Sequence, residues 1–246
     1  MKKLVFLLLL FLPLFGGDVN APPIPVVDLT INSPQTPTQL VKSINIVILM
    51  TILVLAPSLV LVMTSFVRLL IVFSFLRQAM GTQQLPPSQL LVSLAMVLTF
   101  FIMQPYATIA YKNGIEPYMN EKIGYEEAFY KSVKPFKEFM IKNTREKDLA
   151  LFYRIRKMEN PKTIDDVPLS IFIPAFMISE LKTAFEIGFL IYLPFLIIDM
   201  VVSAILMSLG MMMLPPVMIS LPFKLLIFVL VDGWNLLVQS LVLSFK

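Results

Sequence analysis

Gly210-Met211-Met212-Met213-Leu214-Pro215-Pro216 interrupts the most apolar part of a chain of 246 residues. Successive helical residues point roughly 100° apart, so three adjacent methionines cannot share one helical face. The Pro-Pro that follows has fewer backbone N–H groups to donate and disfavours helix at the residue before it. The stretch therefore predicts a break in the chain at or near membrane depth. Such a break is tolerated in lipid only where protein or a water-filled cavity surrounds it. Thioether side chains there are soft enough to close a hole and reshape around whatever passes.

The composition agrees with a membrane setting. Hydrophobic residues make up 57% and charged residues 15%, with a mean hydropathy of +0.82. Soluble domains are less apolar and more charged. Cysteine and histidine are both absent, which removes disulfides, thiolate nucleophiles, imidazole bases and most zinc, copper or haem sites. The formal charge is +4, and its bases are interleaved with acids, so there is no nucleic-acid footprint.

Outward from the methionines, the chain divides by hydropathy. Lys2 and Lys3 followed by the apolar run Leu4 to Phe15 read as a secretory signal over residues 1–21, with an uncleaved anchor as the alternative. Residues 22–42 are rich in Pro, Thr, Ser and Asn and predict a flexible tether. Ser43 to Val67 carries no charge over 25 residues, enough to cross a bilayer that needs about 20, and Pro57 predicts a kink. Arg68 and Arg77 frame a further apolar turn or two before Gly81, and that loop, lacking acids, should face the cytoplasm. A second span from about Gln89 to Tyr111 completes a first helical hairpin over 43–111.

Residues 112–173 are different in kind. The interval 112–183 holds 13 Lys or Arg and 11 Asp or Glu. Phe129, Val133, Phe136 and Met140 recur at one helical face. A second short helix is expected near Thr144, burying Leu149, Phe152 and Tyr153, and Thr163 with Asp166 suits a capping box. This is an extracytoplasmic helical insertion whose aromatic stripes form its own core. A second hairpin over 174–246 starts near Pro174, at the first turn of a helix, and contains the methionine loop. Residues 200–223 can also be read as one uncharged span centred on the methionines. The fold class is an all-α membrane protein of about four long kinked apolar helices plus the insertion, in an oligomeric assembly.

Glu186, Asp199, Lys224 and Asp232 fall where lipid is expected. Each Asp or Lys at mid-membrane costs about 3 kcal/mol, so four cost on the order of 10 kcal/mol, while a dozen Leu or Ile return roughly 5. Such helices need partners, and Asp199 and Lys224 are expected in buried inter-helix or inter-subunit pairs. Glu186 is expected to snorkel from a helix end. An intramembrane aspartyl protease built on Asp199 and Asp232 is disfavoured, because Asp232 lies between Val231 and Gly233 rather than after the glycine context of such enzymes. A secondary carrier suits the broken helices and midplane charges better, but the two halves of the chain show no repeat.

Several strings together resemble the FliP family of the bacterial flagellar type III export gate, over nearly everything from about residue 43 onward. They include Met63-Thr64-Ser65-Phe66 with Arg68, Leu98-Thr99-Phe100-Phe101-Ile102-Met103 and Asn143-Thr144-Arg145-Glu146. Ser179-Glu180-Leu181-Lys182-Thr183-Ala184-Phe185 and Pro194-Phe195-Leu196-Ile197-Ile198-Asp199 follow. Leu209 to Met213 with Pro215-Pro216, Leu221-Pro222-Phe223-Lys224-Leu225 and Phe228 to Trp234 close the series. The resemblance implies a pore subunit that is no enzyme and holds no cofactor or metal. It implies a ring of five copies with FliR-like and FliQ-like partners, within the larger export apparatus and basal body. That gate passes unfolded flagellar proteins out of the cytoplasm through the bacterial inner membrane, with the insertion on the periplasmic side and much of the assembly at periplasmic level. Met211, Met212 and Met213 match the family's pore gasket. Arg68, Glu180, Lys182, Asp199, Lys224 and Asp232 are expected in subunit contacts or buried charge pairs, and Phe139 and Phe152 in contacts of the helical insertion. Injectisome gates of virulence systems share the pattern, but the N-terminal signal and tether favour the flagellar branch. A small-solute or proton carrier is the alternative from another class.

Overall fold

A computed structural model describes residues 37–82, 85–158, 167–211 and 214–245. The expected signal, most of the tether, the Thr163–Asp166 capping box, Met212 and Met213 lie outside the described residues. The elements in chain order are α1 (Pro37–Val62), α2 (Phe66–Ala79), α3 (Ser88–Ala110), a π-helical turn (Tyr111–Ile115), α4 (Glu116–Met119), α5 (Tyr125–Asn143), α6 (Glu146–Ile155), α7 (Leu169–Ser208), α8 (Pro216–Leu230) and α9 (Gly233–Leu243). Every regular element among the described residues is a helix, as the sequence predicts.

The chain divides into two compact units, residues 1–51 and 52–246. The described part of the first is the start of α1, which begins at Pro37, inside the stretch expected to be tether. The apolar part of α1 includes Ser43–Leu55, and Pro57 lies inside the helix. Helix α1 ends at Val62 because Thr64 offers the backbone a competing partner. Its hydroxyl donates to the Leu61 carbonyl at 2.7 Å and accepts from the Phe66 N–H at 3.4 Å.

The second unit is organised on α2, which the sequence reading took for a turn or two between arginines. Leu69, Val72, Phe73 and Leu76 recur at i, i+3, i+4 and i+7, and each is at most 1% exposed. That face packs along α7 and α3. Gly188 of α7 permits the approach: a Cβ there would sit 2.6 Å from the Phe75 ring of α2. Arg68 does not act as a cytoplasmic loop charge, since it is 2% exposed inside this core.

Two helices among the described residues are long and apolar enough to cross a membrane. One is the continuous segment Ser88–Met119 and the other is α7. A third results if α8 and α9, bent by 65° at Val231–Asp232, act as one broken span. Among the described residues two to three helices thus qualify, against the four expected. At 1.5 Å per residue, the 40 residues of α7 extend about 60 Å, twice the thickness of a hydrocarbon core. The helix begins at Leu169, so Pro174 lies inside it rather than opening it.

The described part of the insertion shares its core with the apolar helices. Phe139, Met140 and Tyr153 belong to the same buried cluster as α2, α3 and α7. The packing face of α5 is broader than the expected stripe: Met140 is buried and Phe136 packs on the core as expected, Ala128, Pro135 and Phe139 are buried beside them, and Phe129 is 57% exposed. The reason is the partner. Gly114 of the π turn lies against α5, where a Cβ would meet the Ala128 carbonyl at 2.8 Å, so the small side of α5 turns inward. Leu149 and Phe152 of α6 are partly buried and Tyr153 is buried, as the sequence indicates.

The predicted break is present. Helix α7 closes with Gly210 at φ +75°, a left-handed conformation that glycine adopts without a Cβ penalty. The Gly210 N–H bonds the Met207 carbonyl at 3.1 Å and the Met211 N–H bonds the Leu206 carbonyl at 3.0 Å, the paired bonds of a Schellman terminus. Pro216 then opens α8 at its first turn. The alternative of one uninterrupted span across 200–223 is excluded.

Candidate functional site

Two buried charge pairs tie the second unit together. The first centres on Arg68, near the start of α2. Its Nε donates to Glu180 Oε2 at 2.8 Å and its Nη2 to Glu180 Oε1, a two-pronged pair on α7. The remaining guanidinium donors are used as well. Nη2 reaches Asn143 Oδ1 at the end of α5 at 3.1 Å, and Nη1 reaches the Ser244 carbonyl at 3.1 Å and hydroxyl at 3.0 Å beyond α9. The guanidinium also lies 3.9 Å from the centre of the Phe245 ring, a cation–π contact in a dry site. One planar cation thus joins three helices and the segment that follows α9.

The corner from α5 to α6 docks beside this pair. The Arg145 backbone N–H donates to the Ser179 hydroxyl at 3.0 Å, and that hydroxyl donates to Asp148 Oδ2 at 2.7 Å. Arg145 Nε meets the same carboxylate oxygen at 3.0 Å. Further along α7, Lys182 pairs with Glu186 at 3.5 Å on the exposed side. Glu186, expected to snorkel, is more than half exposed there. Lys182, through its side-chain contact and its like charge, pulls the exposed Lys147 ammonium below the ordinary lysine range.

The second buried pair lies at the other end of α2. Lys224 of α8 is 2% exposed, and its Nζ donates to Asp199 Oδ2 of α7 at 2.6 Å and to the Ala79 carbonyl at 3.1 Å. Ala79 is the last residue of α2, so the ammonium sits at the negative end of a helix dipole as well as beside a carboxylate. The Ser220 hydroxyl donates to the other Asp199 oxygen. Gly81, at φ +76°, turns the chain away immediately after this contact.

Of the residues singled out from sequence, Arg68, Glu180, Asp199 and Lys224 therefore meet in two pairs within one chain. Lys182 is exposed. Asp232 is also exposed, in a left-handed conformation at φ +51° where α8 meets α9, and it enters no ion pair among the described residues. Phe139 is fully enclosed by Tyr106, Phe176 and Phe245, with ring centroids 5.2 to 6.1 Å away. Phe152 is only partly buried. Met211 is 43% exposed just past the end of α7.

Asn143, Ser220, Ser244 and Phe245 complete these pairs, Ser179 completes the adjoining Arg145–Asp148 corner, and sequence reasoning assigns none of them a role. Their signal is weak, because a serine or asparagine in or just after a helix is ordinary until a buried charge is known to face it. Around the pairs, the outer surfaces of α3, α7, α8 and α9 are apolar. Phe100, Phe189, Met218 and Leu230, for example, are all more than 60% exposed. A groove of about 610 Å³ between α7, α8 and α9 is lined by Leu76, Ile187, Phe195, Ile227 and Phe228 among others.

Comparison with known proteins assigns this arrangement to a family. A model described as the FliP family matches residues 49–241. The chain is 53% identical over 217 residues to the flagellar biosynthetic protein FliP of Bacillus subtilis, covering 88% of this chain and 98% of that protein. It is 53% identical over 205 residues to the protein of the same name from Caulobacter vibrioides, covering 83% and 77%. For the one from Aquifex aeolicus, identity is 50% over 210 residues, covering 84% and 87%. Both buried pairs, the methionine break and the bend at Asp232 lie inside the matched residues, and the chain belongs to the FliP family.

Proposed function

We propose that the chain is a pore-forming core subunit of the flagellar type III export gate, through which unfolded flagellar proteins cross the bacterial inner membrane. Copies of the chain gather about a shared axis, in a ring of five, with FliR-like and FliQ-like subunits around them at the basal body. The α5–α6 region stands on the periplasmic side. The chain is not an enzyme; its charges hold helices together rather than act on a substrate.

The observation that carries this reading is the placement of charge. Arg68 with Glu180 and Lys224 with Asp199 are neutralised pairwise inside the chain, while the outer faces of α7, α8 and α9 are apolar. A compact carrier needs a polar path through its own interior, with ionisable groups accessible along it. Here the groove between α7, α8 and α9 is lined by aliphatic and aromatic side chains, with Ser240 and Ser244 its polar ones. A passage is better supplied between copies, with apolar faces covered by neighbouring subunits. The relatives named for flagellar biosynthesis, at about half identity over most of the chain, support the same assignment.

The methionine break supplies the seal. A passage for unfolded chains needs closure without sequence preference, and thioethers give soft apolar contact of low specificity. Met211 is held at the mouth of the break by the Gly210 terminus, and the triple methionine is proposed to narrow the shared passage.

Native mass spectrometry of the complex extracted from membranes in mild detergent tests this. Several copies of the chain with FliR-like and FliQ-like partners are expected. A monomer without such partners would overturn the proposal in favour of a carrier.

A further inference from the structure

We infer that two exposed helix ends of this chain are the two halves of one contact between neighbouring copies. An acidic, aromatic end built from residues 116–130 receives a basic end built from residues 151–158 of the next copy. The inference rests on the reading of a ring of copies and names a contact that closes it.

The two ends are built alike. The continuous helical segment Ser88–Met119 closes with the Glu121 N–H on the Tyr118 carbonyl at 3.0 Å and the Lys122 N–H on the Pro117 carbonyl at 2.9 Å. Helix α6 closes with the Lys157 N–H on the Arg154 carbonyl and the Met158 N–H on the Tyr153 carbonyl, both at 3.1 Å. Each is a Schellman terminus, whose left-handed position favours glycine. Gly210 fills that position at the end of α7, but here it holds Glu121 at φ +55° and Lys157 at φ +54°. Glu121 is disfavoured twice, because its carboxylate also lies at the negative end of a helix dipole. A charge held against two local preferences points to a partner outside the chain.

The surroundings of the two ends are complementary. Glu116, Glu121 and Glu126 are exposed and enter no ion pair among the described residues, while Glu127 is matched by Lys131 at 2.7 Å. Lys122 is the one cation within residues 116–130. Among these carboxylates the Tyr118 and Tyr125 rings meet edge-on with centroids 6.4 Å apart, and Tyr125 stacks with Phe129 at 6.5 Å. Tyr125 and Met119 are each 70% exposed. Rigid aromatic rings and methionine are enriched in protein interfaces, and exposed apolar patches with a polar rim mark them. At the other end, residues 149–158 carry no acid. Arg154, Arg156 and Lys157 are exposed there beside Ile155 and Met158, which are exposed as well. Arginine can stack on the tyrosine faces and pair with the carboxylates at once.

Both partners are present in this chain, which selects a second copy as the occupant. The acidic end is held by the packing of α5 on α3 and the π turn, and the basic end by the packing of α6 on α7. Each end is exposed in its own chain, so neither satisfies the other there. A contact between two different patches is head-to-tail, and it closes into a ring when the rotation allows.

The chain has no cysteine, so an engineered pair can be linked without background. In the full complex with its partners, Glu126→Cys together with Arg156→Cys should give a ladder of joined copies with a short bismaleimide on denaturing gels. Either change alone should give no ladder. Glu121→Lys with Glu126→Lys should lower the ring fraction in native mass spectrometry about tenfold, because like charges then face each other. Adding Arg154→Glu and Lys157→Glu to the same chain should restore it. Glu121→Gly relieves the left-handed strain, so thermal stability of the subunit should rise while ring yield falls. A ring of normal stoichiometry without linked copies, absence of rescue in the fourfold variant, or an unchanged ring yield in Glu121→Gly would overturn this contact and leave the ring reading standing. A wild-type monomer would overturn both.

Discussion

Arg68 and Glu180, 112 residues apart in sequence, lie fork to fork with side chains 3% and 0% exposed. Burying an ion pair is costly, and removing one member leaves the other charged and desolvated. Either Arg68→Leu or Glu180→Leu should therefore destabilise the chain by about 3–5 kcal/mol. The double change should cost less than the sum of the two. Thermal unfolding of the purified subunit by near-ultraviolet circular dichroism measures the cycle. Additive losses would show that the pair is not coupled.

Lys224 carries a heavier role than Asp199, because it alone bridges α7 and the end of α2. Lys224→Glu places a carboxylate against both Asp199 and the Ala79 carbonyl, so ring assembly on native gels should be largely lost. Asp199→Asn should be milder. The amide oxygen it leaves still accepts from the Lys224 ammonium, and the Asp199 side chain is already 26% exposed. Normal assembly of Lys224→Glu, or equal damage from both changes, would contradict this arrangement.

Gly188 sets the distance between α2 and α7. Gly188→Ala adds a Cβ 2.6 Å from the Phe75 ring and 3.0 Å from its Cβ, and overpacking of this kind costs about 1–3 kcal/mol. Adding Phe75→Ala removes the ring and should recover part of the loss. Chemical denaturation of the three variants provides the comparison; a neutral Gly188→Ala would mean the helices separate freely there.

Replacing Met211, Met212 and Met213 together by alanine should leave the subunit folded but widen the sealed passage. Planar-bilayer conductance of the assembled complex should rise, and cells should admit small solutes that wild type excludes. Unchanged conductance would remove the gasket assignment while leaving the helix terminus at Gly210 unaffected.

Local chemistry was legible where it was strong. The break at Gly210 to Pro216 follows from glycine's access to positive φ and from proline's missing donor, and it stands where those residues predict it. Helix α6 and its buried Tyr153 follow from periodicity in the same way. Helix α2 is not legible in this way, because Arg68 and Arg77 look like loop charges. Arg77 does reach outward, to Ser88 at 2.8 Å, but Arg68 is stabilised by partners from α5, α7 and the segment after α9. Nothing within a few residues of Arg68 announces them. On α5 periodicity is right for Phe136 and Met140 and wrong for Phe129, because the surface facing the start of that helix is Gly114 and Ala128 turns toward it.

The amino-acid order alone determined that this chain is helical, rich in membrane-length apolar segments, lacking cysteine and histidine, and interrupted at three methionines before two prolines. Those are properties of adjacent residues and of periodicity, which the local backbone must obey. The folded arrangement decided which charges meet, that the insertion shares the core of the apolar helices, and how many helices can span. Such choices compare contacts between distant segments, where a buried cation is stable only if the whole set of acceptors arrives together.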